Sequence, residues 1–155
     1  MDERIARLET PEECEQLAIN VADRSPELAQ AARSRAVELR AAKHGAATVA
    51  EQEALEAVYA YEKVLSENRG KTVRATQTWQ MIERHGIIKA VERAVNRKEV
   101  TTGYTTLVKM GMQDFAFEAV VCRHPTVFSS EALKRSQERL KEWKNQDEND
   151  QEHGG

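Results

Sequence analysis

The sequence predicts an all-α protein, and three observations lead to that prediction. Apolar residues recur three and four positions apart through most of the chain, as they do on one face of a helix. Helix-capping residues stand in front of several of these segments. Sustained apolar–polar alternation is absent, and 7 glycines and 3 prolines are too few for a loop-rich β fold. A chain of 155 residues with 40% apolar residues can build one compact core.

Three helices are predicted in residues 1–68, and each begins at a capping residue. Thr10, Ser25 and Thr48 occupy the predicted N-cap positions, and Pro11 and Pro26 occupy first helical positions. About four residues join the second helix to the third, which is the short connection expected of an antiparallel helical hairpin. The residues expected to face inward on the three helices are Cys14, Leu17, Ala18 and Val21; Leu28, Ala32, Ala36 and Leu39; and Ala54, Val58, Tyr61 and Leu65.

Residues 69–143 predict a small bundle of shorter helices. The first of them is expected to be capped by Thr76 or Thr78 and to end at Gly86. Asp114 is expected to open the most apolar helix, which runs to residue 122, and Ser129 to cap the last one. Residues 144–155 contain no aliphatic or aromatic side chain, so they predict a disordered acidic tail. The predicted architecture is therefore an N-terminal antiparallel hairpin, residues 1–68, packed on a C-terminal bundle, residues 69–143.

The net charge of −3 conceals an uneven distribution of charge along the chain. Residues 1–68 carry a net charge of −6, residues 69–98 carry +6, and residues 99–155 carry −3. We call residues 69–98 the basic block. A local excess of positive charge of this size favours a polyanionic partner even though the protein as a whole is acidic.

The basic block predicts a non-enzymatic nucleic-acid interface, for DNA rather than RNA. Its two helices around Gly86 permit a helix-turn-helix arrangement, although the turn is tighter than the usual one. A cap at Thr76 or Thr78 would leave the N-terminus of the first helix free to bind a phosphate. Glu92 is expected to face outward and to oppose phosphates. The candidate phosphate contacts are Arg69, Lys71, Arg74, Arg84, Lys89, Arg93, Arg97 and Lys98, and the candidate base or sugar contacts are Gln77, Gln80 and Asn96.

Other interpretations of these features stay open at this point. The basic block is also compatible with pairing against the acidic hairpin of the same molecule, or with docking an acidic protein. Trp79, inside the block, is compatible with a core anchor or with a platform on which an unpaired base stacks. The alternative function is a protein-interaction adaptor or a homodimerisation module that uses the hairpin of residues 11–68.

No sequence motif argues for an enzyme, a metal site or a cofactor. Phosphate-binding glycine loops and nucleophile elbows are absent. Cys122 and His124 are two residues apart, and such residues point to different sides of a helix, so they do not form a nucleophile–base pair. The two cysteines and four histidines are too scattered for a zinc site. We therefore expect no catalytic residue, no metal and no cofactor.

The apolar runs and the cysteines also bear on location. The longest apolar runs are only a few residues, which is too short for a membrane span, and the acidic start does not resemble a secretory signal. Cys14 and Cys122 lie far apart in the sequence and form no disulfide framework. We expect a cytoplasmic protein, of bacterial origin, with no membrane partner.

Overall fold

The computed structural model describes residues 2–97 and 103–153, with side chains through residue 145. All regular structure within these residues is helical, which confirms the all-α prediction. Lys98, one of the predicted phosphate contacts, lies outside the described residues. The described helices are α1 (Glu3–Ala6), α2 (Pro11–Val21), α3 (Pro26–His44), α4 (Val49–Arg69), α5 (Thr76–His85), α6 (Ile87–Asn96), α7 (Gly103–Lys109), α8 (Phe117–Arg123) and α9 (Ser130–His153), with a 3-10 turn at Gln113–Phe115.

The predicted caps of the long N-terminal helices are present as hydrogen bonds. The hydroxyl oxygens of Thr10, Ser25 and Thr48 accept hydrogen bonds from backbone N–H groups three residues later, at 3.2, 3.4 and 3.1 Å. Ser129 caps α9 in the same way, at 3.1 Å from the N–H of Ala132. Each bond satisfies a donor that the helix itself leaves without a partner.

The N-terminal helices enclose a small core of their own. Ala18 and Val21 of α2 pack against Leu28, Ala29 and Ala32 of α3. Ile5 of α1 is fully buried in the same cluster, although the sequence analysis did not predict α1. A four-residue helix carries too little periodicity to be recognised from its pattern.

Helix α4 connects the hairpin to the C-terminal bundle, because residues on two of its faces are buried in two different apolar clusters. One side places Ala54 and Ala57 in a cluster with α6, α8 and the start of α9. Another side places Ala60 and Val64 against Val37 of α3 and the segment around α7. Small alanine side chains on α4 allow these neighbouring backbones to approach closely. The hairpin is therefore packed on the bundle through α4, as the sequence predicts.

One part of the C-terminal region differs from its predicted form. Asp114 lies in the 3-10 turn, and Ala116 is extended, with φ −61° and ψ 144°, so that α8 begins at Phe117 rather than at Asp114. The backbone of α9 is helical to His153 and thus runs through most of the segment for which the sequence predicts a disordered tail. That prediction concerns the order of the tail in solution, and it stays a prediction.

Candidate nucleic-acid interface

The carboxylate of Glu62 fixes the loop that opens the basic block. This side chain of α4 is 15% exposed, and its Oε2 accepts hydrogen bonds from the Ala75 N–H at 2.8 Å and the Trp79 Nε1–H at 2.9 Å. Arg74 Nε lies 3.7 Å from the same oxygen. One largely buried acceptor thus orients the end of the loop and the start of α5 together.

This arrangement contradicts the predicted phosphate site at the N-terminus of α5. Ala75 is the N-cap residue, and no side chain caps the helix. Thr76 is the first helical residue, whereas Thr78 is buried. Because the Glu62 carboxylate already occupies this helix end with negative charge, an added phosphate would be repelled.

Three further contacts hold the loop and Trp79 against α4 and the end of α3. The Val73 N–H donates to Ser66 Oγ at 2.8 Å. The indole of Trp79 lies 5.1 Å from the ring of Tyr59 and 5.4 Å from that of His44, with which it stacks. Rings of the protein itself therefore pack around Trp79, which supports its interpretation as an anchor over that of a base-stacking platform.

Helices α5 and α6 meet at a single residue, Gly86. Its N–H donates to the carbonyl of Ile82 at 2.8 Å and ends α5, while its carbonyl accepts from the Ala90 N–H at 3.1 Å and starts α6. The φ of 86° at Gly86 is one that residues with a β-carbon rarely adopt. The connection is tighter than that of an ordinary helix-turn-helix, as the sequence suggests.

Helix α6 presents a row of three cations to solvent. Lys89, Arg93 and Arg97 are spaced four residues apart, so they follow one face of the helix and its C-terminal end, and all three are exposed. Val91 and Val95 are buried on the opposite face. Burial of the apolar face fixes the orientation of the cationic one.

Two other polar residues of α6 do not face solvent as expected. The Glu92 carboxylate is 13% exposed and accepts a hydrogen bond from the Ser129 N–H at 2.9 Å. It thus serves the start of α9. The side-chain oxygen of Asn96 is buried and has no hydrogen-bond partner among the described residues. Glu92 is therefore shared between the start of α9 and Lys89 of the row, 3.5 Å away, and the buried oxygen of Asn96 is not available to a base or sugar.

The remaining predicted contacts are on the surface. Of the seven described cations of the basic block, two form an ion pair with a carboxylate, Arg74 with Glu62 at 3.7 Å and Lys89 with Glu92 at 3.5 Å. Only the first of these reaches the acidic hairpin, so internal pairing does not account for the block. The exposed predicted residues are Arg69, Lys71, Arg74, Gln77, Gln80, Arg84, Lys89, Arg93 and Arg97.

The structure arranges these cations in two groups. Arg69, Lys71 and Arg74 lie at the end of α4 and on the loop before α5, whereas Lys89, Arg93 and Arg97 form the row on α6. Helix α5 lies between the two groups in the chain, and its ten residues span about 15 Å. The seventh cation, Arg84, lies near the end of α5. We call these seven cations the basic surface.

Sequence reasoning missed two arginines of α9 that lie beside this surface. Arg135 Nη1 donates to the carbonyl of Asn96 at 2.5 Å, and Arg139 Nη2 donates to the carbonyl of Arg97. They bring positive charge to the C-terminal end of α6, where the helix dipole is negative. Their i, i+4 spacing was visible in the sequence, but their contact with the end of α6 was not.

Comparisons with known proteins add no assignment. No family model, curated protein or solved structure matches the chain. Within the described residues, no group of three or more histidine, cysteine or acidic side chains is placed to hold a metal ion. No helix in that part of the chain is both long and apolar enough to cross a membrane. The geometry of the basic surface is therefore the feature from which a function is inferred.

Proposed function

We propose that the chain is a non-enzymatic nucleic-acid-binding module that uses the basic surface and prefers DNA to RNA. The observation that carries this proposal is the exposure of all seven cations together with the small number of internal ion pairs. A group of exposed arginines and lysines with few paired carboxylates among the described residues creates a local positive potential that attracts a polyanion. Lys98 and the exposed amides of Gln77 and Gln80 belong to the proposed contacts.

Rigid positioning of the cations supports the proposal further. Glu62 and Ser66 hold the loop by its backbone, and the buried face of α6 holds the row of Lys89, Arg93 and Arg97. Little backbone order remains to be gained on binding, so less of the electrostatic attraction is offset by lost entropy. The helix pair around Gly86 is the feature that favours a duplex over a single strand.

A salt titration with a labelled DNA duplex tests the proposal. If about five of the cations contact phosphates, a plot of log K against log salt has a slope of about −4.5. Affinity would then fall by about 500-fold between roughly 50 and 200 mM salt. Fluorescence anisotropy measures this slope directly. Absence of binding at the lowest salt overturns the proposal.

The decisive variant is Arg93→Glu with Arg97→Glu. It should abolish binding or reduce the slope by about 2, because two phosphate contacts are lost and two repulsions are introduced. A matched control, Arg7→Glu with Lys43→Glu, changes the net charge equally at exposed positions outside the basic surface. Equal losses in both variants would mean that bulk charge alone attracts DNA. Stronger binding to an RNA duplex would overturn the preference for DNA.

The free thiols support a cytoplasmic location within this proposal. Both cysteines are unpaired, Cys14 in the N-terminal core and Cys122 in a half-buried position. Burial raises the pKa of each thiol, so both are held in the protonated, unreactive form. Unpaired thiols are typical of proteins from a reducing compartment.

A groove at the hairpin favours a second candidate function, self-association. Helix α2, the end of α4 and the following loop border an open space of about 720 Å³. Its apolar part includes Ile19, which is 73% exposed. The rim carries both charges, basic at Arg33, Lys63 and Lys71 and acidic at Glu15, Asp23 and Glu67. Because a twofold contact joins one patch to its own copy, a rim of mixed charge can pair with itself.

Light scattering coupled to size-exclusion chromatography tests this candidate. We expect a dimer. Ile19→Asp should weaken it, so that it dissociates at a higher protein concentration, because a carboxylate would be buried at the contact. Val49→Asp is the matched control, since Val49 is also about 70% exposed but does not line the groove. A monomer at every concentration overturns the homodimer.

A further inference from the structure

A second site lies inside the C-terminal bundle, where aromatic side chains surround a buried carboxylate. The cavity has a volume of about 50 Å³ and is bordered by α4 through α9. Two aromatic pairs form much of its wall, Tyr61 with Phe117 at 5.9 Å and Tyr104 with Trp143 at 4.8 Å between ring centroids. Glu118 lines the same space and is 6% exposed.

The carboxylate of Glu118 is incompletely neutralised. Its ion-pair partner is Arg139, whose Nη1 lies 3.9 Å from Oε1, beyond hydrogen-bond distance. Arg139 also donates to the carbonyl of Arg97, so its guanidinium is shared. Burial raises the pKa of Glu118, and the smaller opposing effects of its own backbone N–H and of Arg139 do not cancel this rise. A buried acid in this condition is stabilised by a donor that enters the cavity.

The chemistry of the walls indicates which donor fits. Aromatic faces attract cations, and they also shield apolar groups from water. A carboxylate forms a strong charge-assisted hydrogen bond with an ammonium group. A volume of about 50 Å³ holds about four water molecules, which corresponds to about four or five non-hydrogen atoms of a ligand.

We propose that this cavity binds a small organic ammonium ion, with its N–H groups on Glu118 and its alkyl body against the aromatic walls. Arg97 both lines the cavity and is exposed to solvent. The site is separate from the proposed contacts with nucleic acid except at Arg97. It therefore stands or falls independently of the proposed function.

The test is a titration of 5-fluorotryptophan-labelled protein followed by fluorine NMR. Trp143 borders the cavity, whereas Trp79 lies with His44 and Tyr59 and serves as an internal control. Isobutylammonium chloride should shift the Trp143 resonance saturably, with a Kd of about 1–10 mM for so small a ligand. Sodium chloride at equal concentration corrects for ionic strength, and Trp79→Phe assigns the two resonances.

Two probes of similar size, one neutral and one negatively charged, distinguish the proposal from simpler explanations. Isobutanol should bind at least fivefold more weakly than isobutylammonium, and isobutyrate should not bind. Equal binding of isobutanol would mean that the cavity is merely apolar, and stronger binding of isobutyrate would mean that Arg97 is the anchor. Either result, or an unmoved Trp143 resonance, overturns the proposal.

Substitutions identify the carboxylate. Glu118→Gln should weaken the binding of isobutylammonium at least tenfold. Glu138→Gln changes an exposed acid of α9 next to Arg139 and should leave the Kd unchanged. Arg139→Gln removes the competing cation and should tighten binding severalfold. If Glu118→Gln fails to fold, the higher affinity expected of Arg139→Gln still tests the proposal. An unchanged or weaker affinity in Arg139→Gln overturns it.

Discussion

Gly111 provides the sharpest test of how the hairpin is joined to the bundle. It follows α7, with a φ of 68°, and its carbonyl accepts a hydrogen bond from Gln30 Nε2 of α3 at 2.7 Å. A β-carbon at this position would lie 2.3 Å from Gln30 Cδ. Gly111→Ala should therefore destabilise the fold through two separate effects, backbone strain and loss of this hydrogen bond.

The magnitudes follow from those two effects. An alanine with left-handed backbone geometry costs about 1–2 kcal/mol. Gln30 is exposed and flexible, so it can move away from the new methyl group, at the cost of its hydrogen bond, about 0.5–1.5 kcal/mol. The free energy of unfolding should fall by about 1.5–3.5 kcal/mol in total. For a chain of 155 residues this lowers Tm by about 3–14 °C.

Urea unfolding followed by far-UV circular dichroism measures the difference, with Gly70→Ala as the control. Gly70 has nearly the same φ, 67°, but no atom within 4 Å of a β-carbon, so only the strain should appear. In the double variant, Gln30→Ala should add nothing to Gly111→Ala, because its hydrogen bond is already lost. Equal effects of Gly111→Ala and Gly70→Ala, or strict additivity with Gln30→Ala, would refute the reasoning.

Three further predictions concern single groups. Glu62→Gln should weaken the attachment of the loop by about 1–2 kcal/mol and shift Trp79 fluorescence, and an unchanged spectrum would contradict the role given to Glu62. Burial raises the pKa of Glu53, but its hydrogen bonds with Arg123 and His124 outweigh burial and lower the pKa overall. The ionised Glu53 side chain therefore stabilises the fold above pH 4.5, and this stabilisation is lost as the pH falls through the lowered pKa. In urea titrations, Glu53→Gln should lower the free energy of unfolding by about 1–2 kcal/mol at neutral pH and by progressively less in acid. A constant cost would contradict this sign. Gly86→Ala should lower Tm because its φ of 86° strains alanine, and an unchanged Tm would show that the turn relaxes.

The helix starts were predictable because their signals are local. The caps at Thr10, Ser25 and Thr48 bond to N–H groups only three residues away, so both partners are visible in one short window. The start of α5 was not predictable in this way. Its N–H acceptor, Glu62, lies on another helix, and no local pattern identifies such a partner.

The same distinction separates the parts of the candidate interface. The charges of the basic block and the row on α6 follow from composition and helical spacing. The inward turn of Glu92 depends on the Ser129 N–H, 37 residues later, and the contribution of Arg135 depends on the packing of α9. Tertiary contacts of this kind decide which side chains of a helix are available to a partner.

The two buried sides of α4 also determine how the chain must fold. This helix contributes residues both to the cluster with α6, α8 and α9 and to the cluster with α3 and α7, so a fragment ending after residue 68 would expose Ala54, Ala57 and Val64 to water. The C-terminal bundle should therefore form no stable intermediate without α4. Circular dichroism and tryptophan fluorescence should report one coincident unfolding transition, because the hairpin and the bundle share this twenty-one-residue helix.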